Sequence, residues 1–230
     1  MTLIVGPPGR APSSTYIASA STPTIANTSN AASITFHSQI DGTHWDATVT
    51  YDFSTSGQIN DWTALNNTTL GVTGGVATCT VSGSPSNNII GMRSNFNVVP
   101  SRIDYVARNL GASLQTINIY CNVTTFDGSN YVAPSPAHGM TYLWSGAGRL
   151  FVVNGAEQSS DNNGGMSQNT WTTSWHTWST TQMQNYWSQN GATVTYTGAL
   201  TLNDARILVG GYQNSTEWDS IVIRGVFTTS

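Results

Sequence analysis

TINIYCNV, residues 116–123, is the stretch whose reading decides the fold of this 230-residue chain. Ile117, Ile119, Cys121 and Val123 alternate with Asn118, Tyr120 and Asn122. A period of two is that of an extended strand, and the alternation predicts one face packed on a core and the other in water. The pattern recurs along the chain. GVTGGVATCTVSG (71–83) reads as two strands joined at Gly74-Gly75, and LWSGAGRLFVV (143–153) as a hairpin with its loop at Gly146, Ala147 and Gly148. ATVTYTG (192–198), ARILVGG (205–211) and SIVIRGVF (220–227) add further strands. Only TTQMQNYW (180–187) is compatible with a turn or two of helix. Many short strands without helices predict an all-β, antiparallel β-sandwich or jelly roll.

Composition excludes several classes of function. Charged residues are 8% of the chain, lysine is absent, and the seven basic residues are all arginine. A net charge of -4 without a basic cluster gives no electrostatic footprint for nucleic acid. No segment approaches the roughly 20 apolar residues of a membrane span. The start, MTLIVGPPGR, is too short in apolar residues for a signal-peptide core. These features lead to the expectation of a chain made and assembled inside a cell, or exported by a route without such a leader, and in either case without membrane insertion. Cys79 and Cys121, the only cysteines, lie in strand-like patterns and read as buried free thiols rather than a disulfide. Sequons at Asn27, Asn66, Asn67, Asn122 and Asn214 matter only in a secreted chain.

Residues 11–40 carry no charge and are rich in Ser, Thr, Ala, Asn and Pro. Such a segment offers little apolar surface against the entropy of ordering. It divides the chain into an extended N-terminal arm (1–42) and one domain (43–230). The arm reads either as a docking element lying on a neighbouring subunit through backbone hydrogen bonds or as a plain flexible leader.

Two segments carry a family resemblance. YDFSTSGQINDWTALNN (51–67), followed by GVTGGVATCTVS (71–82), resembles the opening of concanavalin A-like jelly rolls of the laminin-G-like type. RILVGGYQNSTEWDSIVIRGV (206–226) is similar to their closing strands. The resemblance spans roughly residues 50–228 and implies the jelly-roll fold. It leaves function open among lectins, glycosidases, adhesion modules and structural domains.

Glycoside-hydrolysing members of that superfamily set acidic residues on alternate positions of one strand. Here Glu217 and Asp219 alternate, but Ile221 or Val222 stands where a third acid is expected. The pattern is incomplete, so no catalytic residue is assigned. His37, His44, His138 and His176 are scattered, and no nucleophile elbow is present. GPPGRAPSS (6–14) lacks the ending of a phosphate loop. SSDNNGG (159–165) offers Asp161, Asn162 and Asn163 as calcium oxygens, too few for a strong site; calcium stays open and no metal ligand or other cofactor is assigned.

WTTSWHTWSTTQMQNYW (171–187) holds four of the eight tryptophans. On a strand Trp171 and Trp175 share one face and Trp178 takes the other. Core packing accounts for most of the cluster, with Trp171 or Trp187 left near the surface. The candidate glycan contacts are Trp171, Trp187, Tyr212 and Trp218. The function expected from these features is a non-enzymatic virion structural protein, a capsid decoration, head fibre or tail appendage subunit. It would dock through the arm on other virion subunits or on itself as a homo-oligomer, with host-surface glycans as further ligands. The alternative is a carbohydrate-binding module or adhesin with an exposed aromatic platform; a glycoside hydrolase ranks below both.

Overall fold

The computed structural model describes residues 23–83, 88–111, 116–130, 132–142, 148–161, 167, 169–189 and 191–229. Among these residues sixteen strands form two antiparallel sheets stacked as a sandwich. A nine-stranded sheet contains β1 (Ser33–Gln39), β2 (His44–Tyr51), β4 (Thr68–Thr73), β5 (Val76–Val81), β7 (Val99–Asn109), β12 (Thr172–Ser179), β13 (Gln182–Trp187), β14 (Ala192–Thr197) and β16 (Thr216–Thr228). A seven-stranded sheet contains β3 (Trp62–Ala64), β6 (Ile89–Ser94), β8 (Asn118–Val123), β9 (His138–Tyr142), β10 (Arg149–Val153), β11 (Ala156–Asp161) and β15 (Arg206–Tyr212). The long strands β7 and β16 pair along their length at the centre of the larger sheet, with β2 beyond β16 and β12 beyond β7. No helix among the described residues is long and apolar enough to cross a membrane.

The main core lies between the sheets. Val49, Tyr51, Ile103, Trp178, Met183 and Ile223 of one sheet meet Ile90, Ile119, Cys121, Met140, Phe151 and Val209 of the other. Each such side chain contributes about 1.5–3 kcal/mol of burial. Cys79 and Cys121 are free thiols in this layer, and burial pushes the Cys79 thiol up to about 12.

A second core corrects the reading of residues 116–123. β8 is buried on both faces: Asn118, Tyr120 and Asn122 are as inaccessible as Ile119 and Cys121. Tyr120 joins Ile89, Val152 and Leu208, the outward residues of their strands, in a cluster closed by Phe126, Val132, Ala133 and Ala137 of the β8–β9 connection. That connection is tied down by Ile89 N–H to Gly128 O at 2.9 Å and Arg93 Nη1 to Phe126 O at 3.0 Å. Val123 was expected to stay with the Ile117 set. Asn122 has φ of 57°, which breaks the alternation, and Val123 falls on the outer side instead.

Three other sequence expectations change or sharpen. TTQMQNYW is not helical; residues 182–187 are β13, whose alternate burial leaves Gln182, Gln184 and Tyr186 outward. The hairpin expected at residues 143–153 is present as β9 paired with β10; its loop, 143–147, lies outside the described residues. Of the segment read as an arm, residues 1–22 lie outside the described residues, while β1 pairs with β2 and Ile25 bridges Thr229. Asn30 adds its backbone N–H and Nδ2 to the Asp61 carboxylate at 3.1 and 2.7 Å. Residues 23–42 are therefore built into the sandwich.

The residues that carry the family resemblance at 51–62 form a structural corner. Gln58 Oε1 accepts the N–H groups of Asp52 and Phe53 at 3.1 and 2.9 Å, and its Nε2 donates to Asp52 Oδ1 at 2.7 Å. These bonds hold Phe53 at φ 50°. Tyr51 donates its hydroxyl to the buried Asp61 at 3.0 Å; burial, then the neighbouring carboxylate, pushes its phenol well above the usual range.

Candidate functional site

The outward residues of β7 are Arg102, Asp104, Val106 and Arg108, because Ile103, Tyr105 and Ala107 point into the core. Strand pairing then fixes rows across the outer face of the larger sheet. One row runs Thr50, Val222, Asp104, Trp175, Tyr186 and Thr193. The next runs Thr48, Arg224, Arg102, Thr177, Gln184 and Thr195. Glu217 lies opposite Arg108.

Within these rows one constellation occurs twice. Arg102 donates Nε to both oxygens of Asp104 at 2.9 Å, and its guanidinium sits 4.9 Å from the centre of the Trp175 ring. Hydrogen bonding to Asp104 raises the Arg102 pKa above its ordinary value. Trp175 in turn stacks on Tyr186, with ring centres 5.8 Å apart and planes 15° off parallel. Further along β7, Arg108 pairs with Glu217 at 2.5 Å and lies 4.6 Å from the centre of the Trp171 ring. Arg102 and Arg108 are six residues apart on one strand, a span of about 20 Å. Carboxylate, guanidinium and indole thus fix one another at two positions on an open sheet face, flanked by Thr and Gln side chains. Flat rings beside oriented donors and acceptors are what a glycan requires: apolar surface for the sugar face and directional bonds for its hydroxyls.

β16 adds a carboxylate out of register. Its pairing with β7 slips between Trp218 and Ser220, so Asp219 is the extra residue of a bulge and is exposed beside Glu217. Bulges of this kind re-aim a side chain. Ile221, one of the two positions where a third acid was expected, is in the core; the other, Val222, faces outward, and its partner on β7 is Asp104.

The four residues singled out from sequence as glycan contacts separate. Trp171 is 37% exposed, over Arg108, at this face. Tyr212 is half-buried at the end of β15, on the other sheet. Trp187 and Trp218 must be corrected: both are buried in the core, where no sugar reaches them, and Trp218 donates Nε1 to Thr216 Oγ1 at 3.0 Å. On β13 the outward set runs through Gln182, Gln184 and Tyr186, and at the start of β16 it runs through Glu217 and Asp219; that register turns Trp187 and Trp218 inward. Of the tryptophan-rich stretch, Trp178 and Trp187 are core, Trp175 faces outward, and His176 is wholly buried. Arg102, Asp104, Arg108 and Tyr186 were missed. The signal was RIDYVAR, residues 102–108, which spends three charges on outward positions in a chain with 8% charged residues.

Among the described residues no group of three or more His, Cys, Asp or Glu side chains could hold a metal. Of the calcium candidates, Asp161 ends β11, and Asn162 and Asn163 lie outside the described residues. A separate pocket of about 380 Å³ with a mixed polar and apolar lining lies between Ile25, Asn27, Asn95, Phe96, Asp204 and Arg206.

No family model matches this chain, and no curated protein does. Solved structures do resemble it. A Bacillus licheniformis beta-glucanase is 12% identical with a TM-score of 0.56 over 80% of this chain and 99% of its own. The exoplasmic/lumenal domain of VIP36, solved in a Ca2+/Man3GlcNAc-bound form, is 12% identical with a TM-score of 0.53 over 76% and 86%. The kappa-carrageenase of Pseudoalteromonas carrageenovora, solved with an oligotetrasaccharide of kappa-carrageenan, is 9% identical with a TM-score of 0.50 over 77% and 93%. At these identities the likeness establishes the fold, the concanavalin A-like jelly roll of lectins and glucanases, as the sequence resemblance implied. The same comparison overturns the expectation of a non-enzymatic virion subunit. The neighbours are mostly glycoside hydrolases, joined by a domain holding a bound glycan, and none of the three is a particle component.

Proposed function

We propose that this chain is a carbohydrate-active protein that takes a glycan on the outer face of its nine-stranded sheet and acts on a glycosidic bond there. The observation that carries this reading is the doubled Arg–Trp–carboxylate constellation on β7. It spreads rings and polar groups over an extended strip, as a chain of sugars requires, rather than around a point. The similarity of fold to proteins named for glycan substrates supports the same class.

In this reading Trp175, Tyr186 and Trp171 stack on sugar faces, while Thr177 and Gln184 bond hydroxyls. The carboxylates assigned to bond cleavage are Glu217 and Asp219. Two residues apart on one strand, their Cα atoms lie about 6–7 Å from each other. That spacing is compatible with the roughly 5–5.5 Å between carboxyl groups in glycosidases that retain configuration. Glu217, paired with Arg108, fits the nucleophile or charge stabiliser; Asp219, exposed on the bulge, fits the proton donor. Asp104 lies four residues along β7 from Arg108, about 13 Å, too far to partner Glu217 in either geometry.

The test is incubation with a panel of oligo- and polysaccharides, following binding by calorimetry and bond cleavage by new reducing ends. Expected is saturable binding that Trp175→Ala weakens at least tenfold, with cleavage lost in Glu217→Gln and Asp219→Asn. Binding that survives Trp175→Ala, or no binding to any glycan, overturns the assignment of the face. Cleavage that survives both carboxylate changes overturns the assignment of the pair.

A further inference from the structure

The two halves of the strip differ in charge, and that difference defines the kind of glycan. The inference rests on the glycan-binding reading above. At the Arg108 end, one guanidinium meets Glu217 while Asp219 adds a second, exposed carboxylate, so that end is negative. At the other end, Arg102 and Arg224 lie directly opposite each other on β7 and β16. Like charges in such a pair repel. Asp104 alone lies between them: it takes both Nε contacts from Arg102 at 2.9 Å, while the Nη2 of Arg224 stays 3.7 Å away. Among the described residues Arg224 makes no other ion pair, and 53% of its side chain is exposed. Asp46, the outward acid of β2, stands one row further on, opposite Val226. Two cations thus share one anion; the under-used guanidinium of Arg224 lies in the row of Thr48, and Arg102 stands between it and Thr177 and the Trp175–Tyr186 pair further along the sheet.

We infer that this row receives the acidic substituent of an anionic glycan, a carboxylate or sulfate, against Arg224 and Arg102 while the sugar ring lies on Trp175 and Tyr186. A guanidinium offers paired N–H donors whose spacing matches the oxygens of such groups, and a charge-assisted pair is about twice as strong as a neutral hydrogen bond. The chain holds seven basic residues in all and places two of them opposite each other here.

The experiment compares affinities of the full chain for a uronic-acid polysaccharide (polygalacturonate), a sulfated galactan and an uncharged β-glucan, at low and high sodium chloride. Arg224→Gln and Arg224→Lys are measured alongside, with thermal melts to confirm folding, and inorganic sulfate serves as a competitor. Expected is an acidic-over-neutral preference that shrinks with salt. In Arg224→Gln that preference falls about tenfold, the loss of one charge-assisted contact, and Arg224→Lys keeps part of it. The uronate and sulfate arms distinguish which acid is read. Equal affinity for neutral and acidic glycans overturns the inference and leaves the glycan face standing, whereas no glycan binding at all overturns both. Sulfate that displaces no polysaccharide, or an Arg224→Gln loss equal for acidic and neutral chains, also overturns it.

Discussion

The two sheets present outer faces of opposite character. Outward from the seven-stranded sheet stand Ile89, Tyr120, Val152 and Leu208, roofed by the β8–β9 connection into a second core. Outward from the nine-stranded sheet stand Arg102, Asp104, Arg108, Trp175, Tyr186 and Glu217, open to solvent and locked to one another. Both sheets share the same inner layer, so their inward residues do not distinguish them. What differs is the second parity of each strand: apolar on one side, where a loop must cover it, and charged or aromatic on the other, where a ligand can.

The largest expected effect probes the closed face. Leu208→Ala removes side-chain volume from a fully buried site, and such changes cost about 2–5 kcal/mol. A urea titration monitored by tryptophan fluorescence measures it. A cost under about 1 kcal/mol would mean that this face is not a core and would dissolve the contrast. Trp175→Ala on the open face should move stability less, because its ring is partly exposed and lies outside the core.

The layer between the faces yields a dependence on pH. His176 is wholly buried against Trp178 at a ring-centre distance of 4.4 Å, and among the described residues neither ring nitrogen has a hydrogen-bond partner. Burial lowers its pKa to about 3 from 6.5. The unfolded chain therefore takes up a proton as pH falls through about 6.5 that the folded chain refuses until about 3. This contribution to stability is intact above pH 6.5 and declines progressively between 6.5 and 3. His138, lowered in the same direction by burial, adds the same sign. In His176→Phe the fall in denaturation midpoint between pH 7 and pH 4 should be shallower than in the parent; an unchanged slope would place the titration elsewhere.

Much of this was legible in the sequence, and unevenly. The strands, their antiparallel pairing and the Gly74-Gly75 turn followed from alternation and from glycines, which both have positive φ, 61° and 81°. Two-sided burial was also written there, in the unbroken apolar runs ILV at 207–209 and LFVV at 150–153, which strands buried on both faces require. In TINIYCNV the asparagines masked it, because a buried amide and a solvated amide read alike. Asn122 hides its side chain by accepting the N–H of Asn203 at 2.9 Å, a partner 81 positions away. The site was harder. Trp187 and Trp218 carried more weight as ligands than Arg102 or Asp104 because an indole in a polar context attracts notice. Only strand register, set by residues on other strands, decides which indole faces out.

The next effect sharpens the open face. Tyr186→Ala removes the ring stacked on Trp175 and should lower glycan affinity several-fold, less than Trp175→Ala, which also releases Arg102. Calorimetric titration with the best ligand of the panel measures both. If Tyr186→Ala is the more damaging change, the platform is centred on β13 rather than on β7 and β12.

The smallest expected effect on stability carries the sharpest sign. Asp104→Asn removes the anion that Arg102 and Arg224 share and leaves two guanidiniums opposite each other across β7 and β16. All three side chains are substantially exposed, so solvent screens the repulsion and the loss in stability should stay under about 1 kcal/mol. Affinity for an acidic glycan should move the other way, because the row gains a net positive charge and Arg102 is freed to join Arg224 on the ligand. A variant slightly less stable than its parent yet tighter for acidic sugars would mark Asp104 as a competitor for the arginines. A variant weaker for every sugar would mark the Asp104 carboxylate as a ligand contact itself, with the arginines serving to hold it.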